Sequence, residues 1–440
     1  MKKLLIGIML LLLPAWVFAG NPAQIPALFN IRIEFILFGL TLIGVALFHK
    51  HTLWVALTGL TAILIFKFIF DPGFNLLEHL FGHNSFSDQI LHSDMRQGEW
   101  TILLNLLGLL LGFALLSRHF EESEVPDWLP KLLPDNWKGP LILLCMVFVL
   151  SSFLDNIAAA MIGGTIALVV FKGRVHIGYL AGIVAASNAG GSGSVIGDTT
   201  TTMMWISGVP ALNVLHAYIA AIAAFACFAV IASLQQHKTQ RIQEDPTRGY
   251  RIRWNKLVLV LCILIGTILT NILFDFPALG VWIAILVGAI FVKTDWHELR
   301  VALPGSIFLL SLVTCASMMP VDQLPHASWQ SAFTLGFVSS VFDNIPLTKL
   351  ALEQGGYDWG VLAYAVGFGG SMIWFGSSAG VAISNKFHEA KSVAKWLANG
   401  WHVAIAYVVG FMVLLALWGW NPEEIAKKES SQSTEQVISH

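Results

Sequence analysis

Twelve long apolar stretches run through the sequence, at about 31–49, 52–70, 98–117, 139–171, 176–208, 211–234, 256–275, 277–292, 302–320, 328–352, 357–382 and 401–420. A membrane span needs roughly 20 apolar residues. Inside a bilayer every backbone amide and carbonyl must find an internal partner, which leaves helices as the natural form for segments of this length. Composition agrees. Of the 440 residues 56% are hydrophobic and 12% charged, and mean hydropathy is +0.71. That charged fraction is about half the ~25% usual in soluble domains. A disordered chain is excluded, and a soluble enzyme is argued against. The net charge of −2 gives no electrostatic case for nucleic acid. Cys145, Cys227, Cys262 and Cys315 each lie in an apolar run without metal-ligand spacing, so they read as small hydrophobes. The expected class is an all-α, multi-pass membrane protein.

The first twenty residues form a separate unit. Lys2 and Lys3 precede the apolar run Leu4–Leu13, and Val17-Phe18-Ala19 precedes Gly20. This pattern predicts a signal peptide over 1–19, cleaved after Ala19, with the mature N-terminus outside. Two later stretches depart from simple spans. Pro140–Phe171 is too long for one helix and carries Asp155-Asn156 at its middle, and Ser328–Leu352 carries Asp343-Asn344. Each reads as a hairpin that enters the membrane and returns to the same side.

Basic residues test that reading. With ten spans and two re-entrant hairpins, 17 Lys and Arg fall on the cytoplasmic side. Five fall outside: Arg32, Arg96, Lys349, Lys427 and Lys428. This is the asymmetry expected of inner loops. Lys67 reads as the only cation well inside a span. The predicted organisation is a first half over 20–234, a basic cytoplasmic linker over 235–256, a second half over 257–420 and a polar tail over 421–440. Phe74–Met95 reads as an interfacial helix on the outside, and Lys386–Trp401 as a surface helix on the inside. The expected location is a bacterial-type inner (cytoplasmic) membrane.

The halves share motifs. Ser151-Ser152-Phe153-Leu154-Asp155-Asn156-Ile157 recurs 188 residues later as Ser339-Ser340-Val341-Phe342-Asp343-Asn344-Ile345. Gly190-Gly191-Ser192 with Gly197 recurs 179 residues later as Gly369-Gly370-Ser371 with Gly376. Five spans separate the hairpins, so the second half is inverted. Inverted halves with interrupted hydrophobic segments point to a secondary transporter's site. Glycine weakens a helix by about 1 kcal/mol and adopts conformations other residues avoid. These clusters therefore predict two broken helices whose freed backbone lines a site.

Asp155, Asp198 and Asp343 are the chemistry-bearing residues. A carboxylate at the bilayer centre costs about 2.5–3.5 kcal/mol even on lenient scales, and intramembrane acids are functional by default. Carboxylates in a wet cavity bind a cation or a proton in turn, which is the requirement for cation/proton exchange. Their bland alternative is a cap at a half-helix N-terminus. His176, His216, His326 and His402 fall near span ends, where histidines are usually satisfied interfacial residues.

The motifs D-N-I, G-G-S-G-S-V-I-G-D-T-T-T-T-M-M-W-I and D-N-I-P-L-T resemble NhaD-type sodium/proton antiporters of the ion transporter superfamily. That superfamily also holds arsenite-efflux permeases and citrate or dicarboxylate transporters. The resemblance runs from about Gly139 to Ala382. It implies a homodimeric fold with two hairpins and two broken helices meeting near the midplane. It implies ion binding at Asp198, Thr200 and Thr201, and at the hairpin tips Asp155, Asn156, Asp343 and Asn344. The chain departs from the family at Phe342, where a further acid is common, and at Ala158, where proline is common. The expected partners are Na+ or another monovalent cation, H+ and the bilayer, with no cofactor and no permanent metal. One alternative is an anion transporter of the same fold, for citrate, dicarboxylate or arsenite. D-N at the hairpin tips repels a polyanion unless cations accompany it. The remote alternative, an intramembrane aspartyl protease, wants G-x-G-D, and Val195-Ile196-Gly197-Asp198 lacks the first glycine.

Overall fold

The computed structural model describes residues 26–28, 31–48, 51–243 and 251–424. The signal-peptide reading, the middle of the 235–256 linker and most of the tail lie outside these residues. Among them there are sixteen helices of eight residues or more. In order these are α1 (Ile33–Leu47), α2 (Thr52–Phe70), α3 (Trp100–Glu121), α4 (Lys138–Ser151), α5 (Asn156–Val170), α6 (Ile177–Gly191), α7 (Thr199–Ile206) and α8 (Ala217–Thr239). After the linker come α9 (Trp254–Phe274), α10 (Pro277–Phe291), α11 (His297–Ser317), α12 (Trp329–Ser339), α13 (Asn344–Gln354), α14 (Trp359–Gly369), α15 (Ser378–Lys386) and α16 (Val393–Leu417). The only strands among the described residues are the two-residue pair Ala27–Leu28 and Ile31–Arg32. Six helical stretches are long and apolar enough to cross a membrane, and α1, α4, α5, α10 and α14 are shorter apolar helices. The protein is an all-α polytopic membrane protein.

Four of the apolar stretches are each divided into two helices, and a side-chain cap starts the second helix every time. Asp155 accepts from Ile157 N at 3.2 Å, Asp343 from Ile345 N at 3.1 Å, Asp198 from Thr200 N at 3.1 Å and Ser377 from Gly380 N at 3.2 Å. A cap of this kind satisfies one of the orphan amides at a helix start. Packing recurs in matched pairs. α4 packs on α6 as α12 does on α14, and α3 on α10 as α11 does on α2. α7 packs on α13, and α15 on α5, so each broken helix touches the hairpin of the other half. The longest late helices, α8 and α16, pack on each other.

The glycine clusters serve a different end from the one their conformational freedom suggests. None of Gly190, Gly191 and Gly197 has a positive φ, nor do Gly369, Gly370 and Gly376. They permit close backbone approach instead. A Cβ on Gly190 would lie 2.0 Å from Phe148 O, and one on Gly197 would lie 2.1 Å from Ser151 O. In the second half, Gly369 meets Gly336 O at 2.3 Å and Gly376 meets Ser340 O at 2.5 Å. Serine hydroxyls tie the same surfaces, Ser151 Oγ to Ser187 O at 2.6 Å and Ser339 Oγ to Val366 O at 2.7 Å. Gly190→Ala forces backbone apart with no flexible side chain to yield. It is expected to cost about 1–3 kcal/mol, read as a lowered unfolding midpoint in detergent.

Three regions correct the sequence reading. Phe74–Met95 is not one helix but two short ones, Leu76–Phe81 and Phe86–Leu91, and a final 3-10 turn. Gly82, at φ +65°, ends the first and Ser85 caps the second. Buried Gln89 holds the unit together, donating to Phe81 O (2.6 Å) and Asn84 O (2.9 Å) and accepting from Trp100 Nε1 (2.7 Å). The Lys386–Trp401 surface helix is replaced by a 3-10 turn at His388–Lys391 and the start of α16, capped by Ser392. Lys67 is not the only buried cation. It pairs with Asp71 at 2.9 Å and Glu34 at 3.6 Å, but Lys256 pairs with Glu122 at 2.7 Å. Lys349, counted above with the outer loops, is 1% exposed on α13 and pairs with Glu99 at 2.8 Å and Glu353 at 2.5 Å.

Candidate functional site

Asp198 begins α7 immediately after the Ser192–Gly197 break, and only 1% of its surface is exposed. Its two carboxylate oxygens differ. Oδ1 accepts from Thr200 N (3.1 Å), Thr199 Oγ1 (3.3 Å) and Asn156 Nδ2 (3.3 Å). Oδ2 is buried without a hydrogen-bond partner, as is the hydroxyl of Thr200 two residues along. No ion pair among the described residues involves Asp155, Asp198 or Asp343. A polar atom buried unpaired is costly, so each such atom asks for an explanation.

Asn156 donates to both Asp198 Oδ1 and Asn188 Oδ1, the latter at 3.1 Å. Asn188 in turn donates to Ser371 Oγ in the second half at 2.9 Å. A short buried network therefore runs from the first hairpin through both broken helices. Asp155 adjoins Asn156 in the chain, and α13, which Asp343 caps, packs on α7, which Asp198 caps. Asp155 and Asp343 each keep part of their surface accessible, while an oxygen of each caps its own helix. Asn344 is 2% exposed and its Nδ2 has no partner. Asp155, Asn156, Asp198, Thr200 and Asp343 are thus brought to one neighbourhood. Thr201 is turned away from it, because its hydroxyl donates to Ser194 O at 2.6 Å and Asp198 O at 2.9 Å. Among the glycines and serines, Ser371 reaches the network by its side chain, Ser192 Oγ donates to Ala189 O at 2.8 Å, and the glycines pack closely against backbone.

Asn188 joins the site although it belongs to neither repeated motif. It sits three residues before the end of α6, amid alanines and glycines, where an amide has no structural use on an apolar face. That isolation was the available signal. The two halves are unequal here, for Ser377 stands where the first half has Asp198. Of the histidines, His216 bonds Asp358 at 2.6 Å and stacks on Trp418, while His176 caps α6 and His402 bonds Gln235 at 3.2 Å. All three have structural partners, His176 and His216 just before helix starts and His402 within α16.

The chain is 26% identical over 310 residues to sodium/proton antiporter 1 of Arabidopsis thaliana, covering 57% of this chain and 52% of that protein. The chain thus spans about half the length of that relative. It is 24% identical over 330 residues to the Na(+)/H(+) antiporter NhaD of Vibrio cholerae, covering 62% and 69%. To sodium/proton antiporter 2 of Arabidopsis thaliana it is 27% identical over 331 residues, covering 64% and 76%. A profile described as citrate transporter, CitMHS, matches residues 35–369, about three quarters of the chain. A buried polar network at two interrupted helices suits transport, and the chain belongs to the CitMHS family of membrane transporters.

Proposed function

We propose that the chain is a cation/proton antiporter with Na+ as the cation, working as a homodimer in a bacterial-type inner membrane. The observation that carries this is Asp198, a buried carboxylate with one unpartnered oxygen, no basic partner and the free Thr200 hydroxyl nearby. A carboxylate so placed takes either a cation or a proton, and the two compete for it. Asn156, Asn188 and Thr200 complete an oxygen- and amide-lined site, with Asp155 and Asp343 adding negative charge. The names of the sodium/proton antiporter relatives support the same reading. The chain's halves, 20–234 and 257–420, act as inverted repeats in this scheme. The shared motifs and the matched helix pairings support that. Inversion lets one site face each side of the membrane in turn.

The test is proton movement in everted vesicles. Na+ added to respiring vesicles is expected to discharge the pH gradient, and labelled citrate is expected not to enter. Citrate uptake without Na+-driven proton movement would transfer the site to the anion reading. Topology is checked separately with single cysteines. Arg174→Cys, after α5, is expected to label from the cytoplasm, and Gln323→Cys, before α12, from outside. Labelling of both from one side would remove the inverted arrangement.

A further inference from the structure

We infer that Gly367, on α14 of the second half, sets the size of the cation that Asp198 accepts. The inference rests on the cation/proton reading of the site and goes further by naming its specificity-determining residue. A Cβ built on Gly367 would lie 3.0 Å from Asp198 Oδ2 and 4.0 Å from Ser192 Cβ, with no other atom within 4 Å. The missing side chain thus leaves a space bounded by the one carboxylate oxygen that has no protein partner. The glycines of the two repeated clusters are instead closed off by backbone, and Gly193 by the Tyr218 ring. Gly190, Gly191, Gly197, Gly369, Gly370 and Gly376 would each place a Cβ under 3.0 Å from a carbonyl oxygen. Gly367 alone among these faces a charge.

The repeat explains how the space arises. Gly367 stands 179 residues after Asn188, the spacing that relates the two G-G-S clusters. Asn188 reaches across to Ser371 at 2.9 Å. By the same spacing Gly367 faces Ser192, the counterpart of Ser371, and has no side chain to send. An amide at 367 would fill the position beside Asp198 Oδ2. Glycine there leaves that oxygen to a cation small enough to fit between α14 and Ser192. The second half has also lost the acid, having Ser377, so the space is single and lies on the Asp198 side only.

The experiment uses the full-length protein, with Na+, Li+ and K+ as probes in two readouts. One is cation-driven proton movement in vesicles. The other is the cation's shift of the unfolding midpoint, since a ligand bound only by the folded state stabilises it. Gly367→Ala is expected to lower Na+-driven exchange by about tenfold or more, the scale on which one methylene discriminates in a fitted pocket. It is also expected to remove the stabilisation by Na+. Gly305→Ala, where a Cβ meets nothing within 4 Å, should leave both unchanged. Ser192→Gly widens the same space without a clash and is expected to raise K+-driven relative to Na+-driven exchange, which keeps the test valid if Gly367→Ala fails to fold. Wild-type exchange or undiminished Na+ stabilisation in folded Gly367→Ala would overturn the inference, and so would an unchanged ion preference in Ser192→Gly. A wild-type protein that none of the three cations drives or stabilises would overturn the antiporter reading itself, and the inference with it.

Discussion

Asp198→Asn is expected to reduce cation-driven proton exchange to the level of vesicles lacking the protein, while the protein inserts and folds normally. The substitution keeps the size of the side chain and its Oδ1, which can still accept from Thr200 N and Asn156 Nδ2. It removes the ability to ionise, on which competition between cation and proton depends. The charged form costs about 2.5–3.5 kcal/mol at the bilayer centre, so the neutral variant should be no less stable. The measurement is Na+-induced discharge of the pH gradient in vesicles carrying equal amounts of wild-type and variant protein. It is paired with the unfolding midpoint in detergent without Na+. Exchange at wild-type level would leave Asp198 as a helix cap and nothing more. Asp155→Asn and Asp343→Asn are a useful contrast. Their oxygens cap α5 and α13, and each residue is only half-buried. If Asp198 is the exchange group, these two variants weaken exchange through lost negative charge but do not reduce it to background.

The fold was legible because membrane spans are written in a coarse code. Apolar runs near 139–171 and 328–352 contained an aspartate at a position no continuous helix would choose, and the structure breaks both runs there. Asp155 and Asp343 accept from Ile157 N and Ile345 N, the capping role weighed in the sequence as the bland alternative to ion binding. The roles of the glycines were less legible. A G-G-S cluster signals that something approaches closely or bends, but not which. The answer depended on Phe148 O and Ser151 O, carbonyls from a helix over thirty residues away. Asn188 was missed because a lone amide in an alanine-rich helix carries no spacing signal, and its partners Asn156 and Ser371 come from distant segments. Lys349 was misplaced for the same reason. Hydropathy reads a lysine near the end of a run as surface; Glu353 lies one turn on in the same helix, and only tertiary packing brings Glu99 to it.

That buried cluster should dominate the stability of the second hairpin. Lys349 lies 1% exposed on α13, six residues after the Asp343 cap. Its ammonium pairs with Glu99, the residue before α3, at 2.8 Å and with Glu353 one turn on at 2.5 Å. Glu99 is distant in sequence, so the contact fixes the hairpin arm against the start of a long span. Lys349→Met keeps the aliphatic stem but leaves two carboxylates facing each other with little water. Removing one partner of a buried pair typically costs about 3–5 kcal/mol, whereas replacing the whole group by neutral residues is often close to free. Lys349→Met is therefore expected to lose stability on that scale, read as equilibrium unfolding in a mixed detergent. The triple variant Glu99→Gln, Glu353→Gln and Lys349→Met should recover most of the loss. If the single and triple variants are equally destabilised, packing of the lysine stem rather than uncompensated charge is what holds α13 to α3. If the single variant is as stable as wild type, the two glutamates have found water or protons, and the cluster is not the clamp its geometry implies.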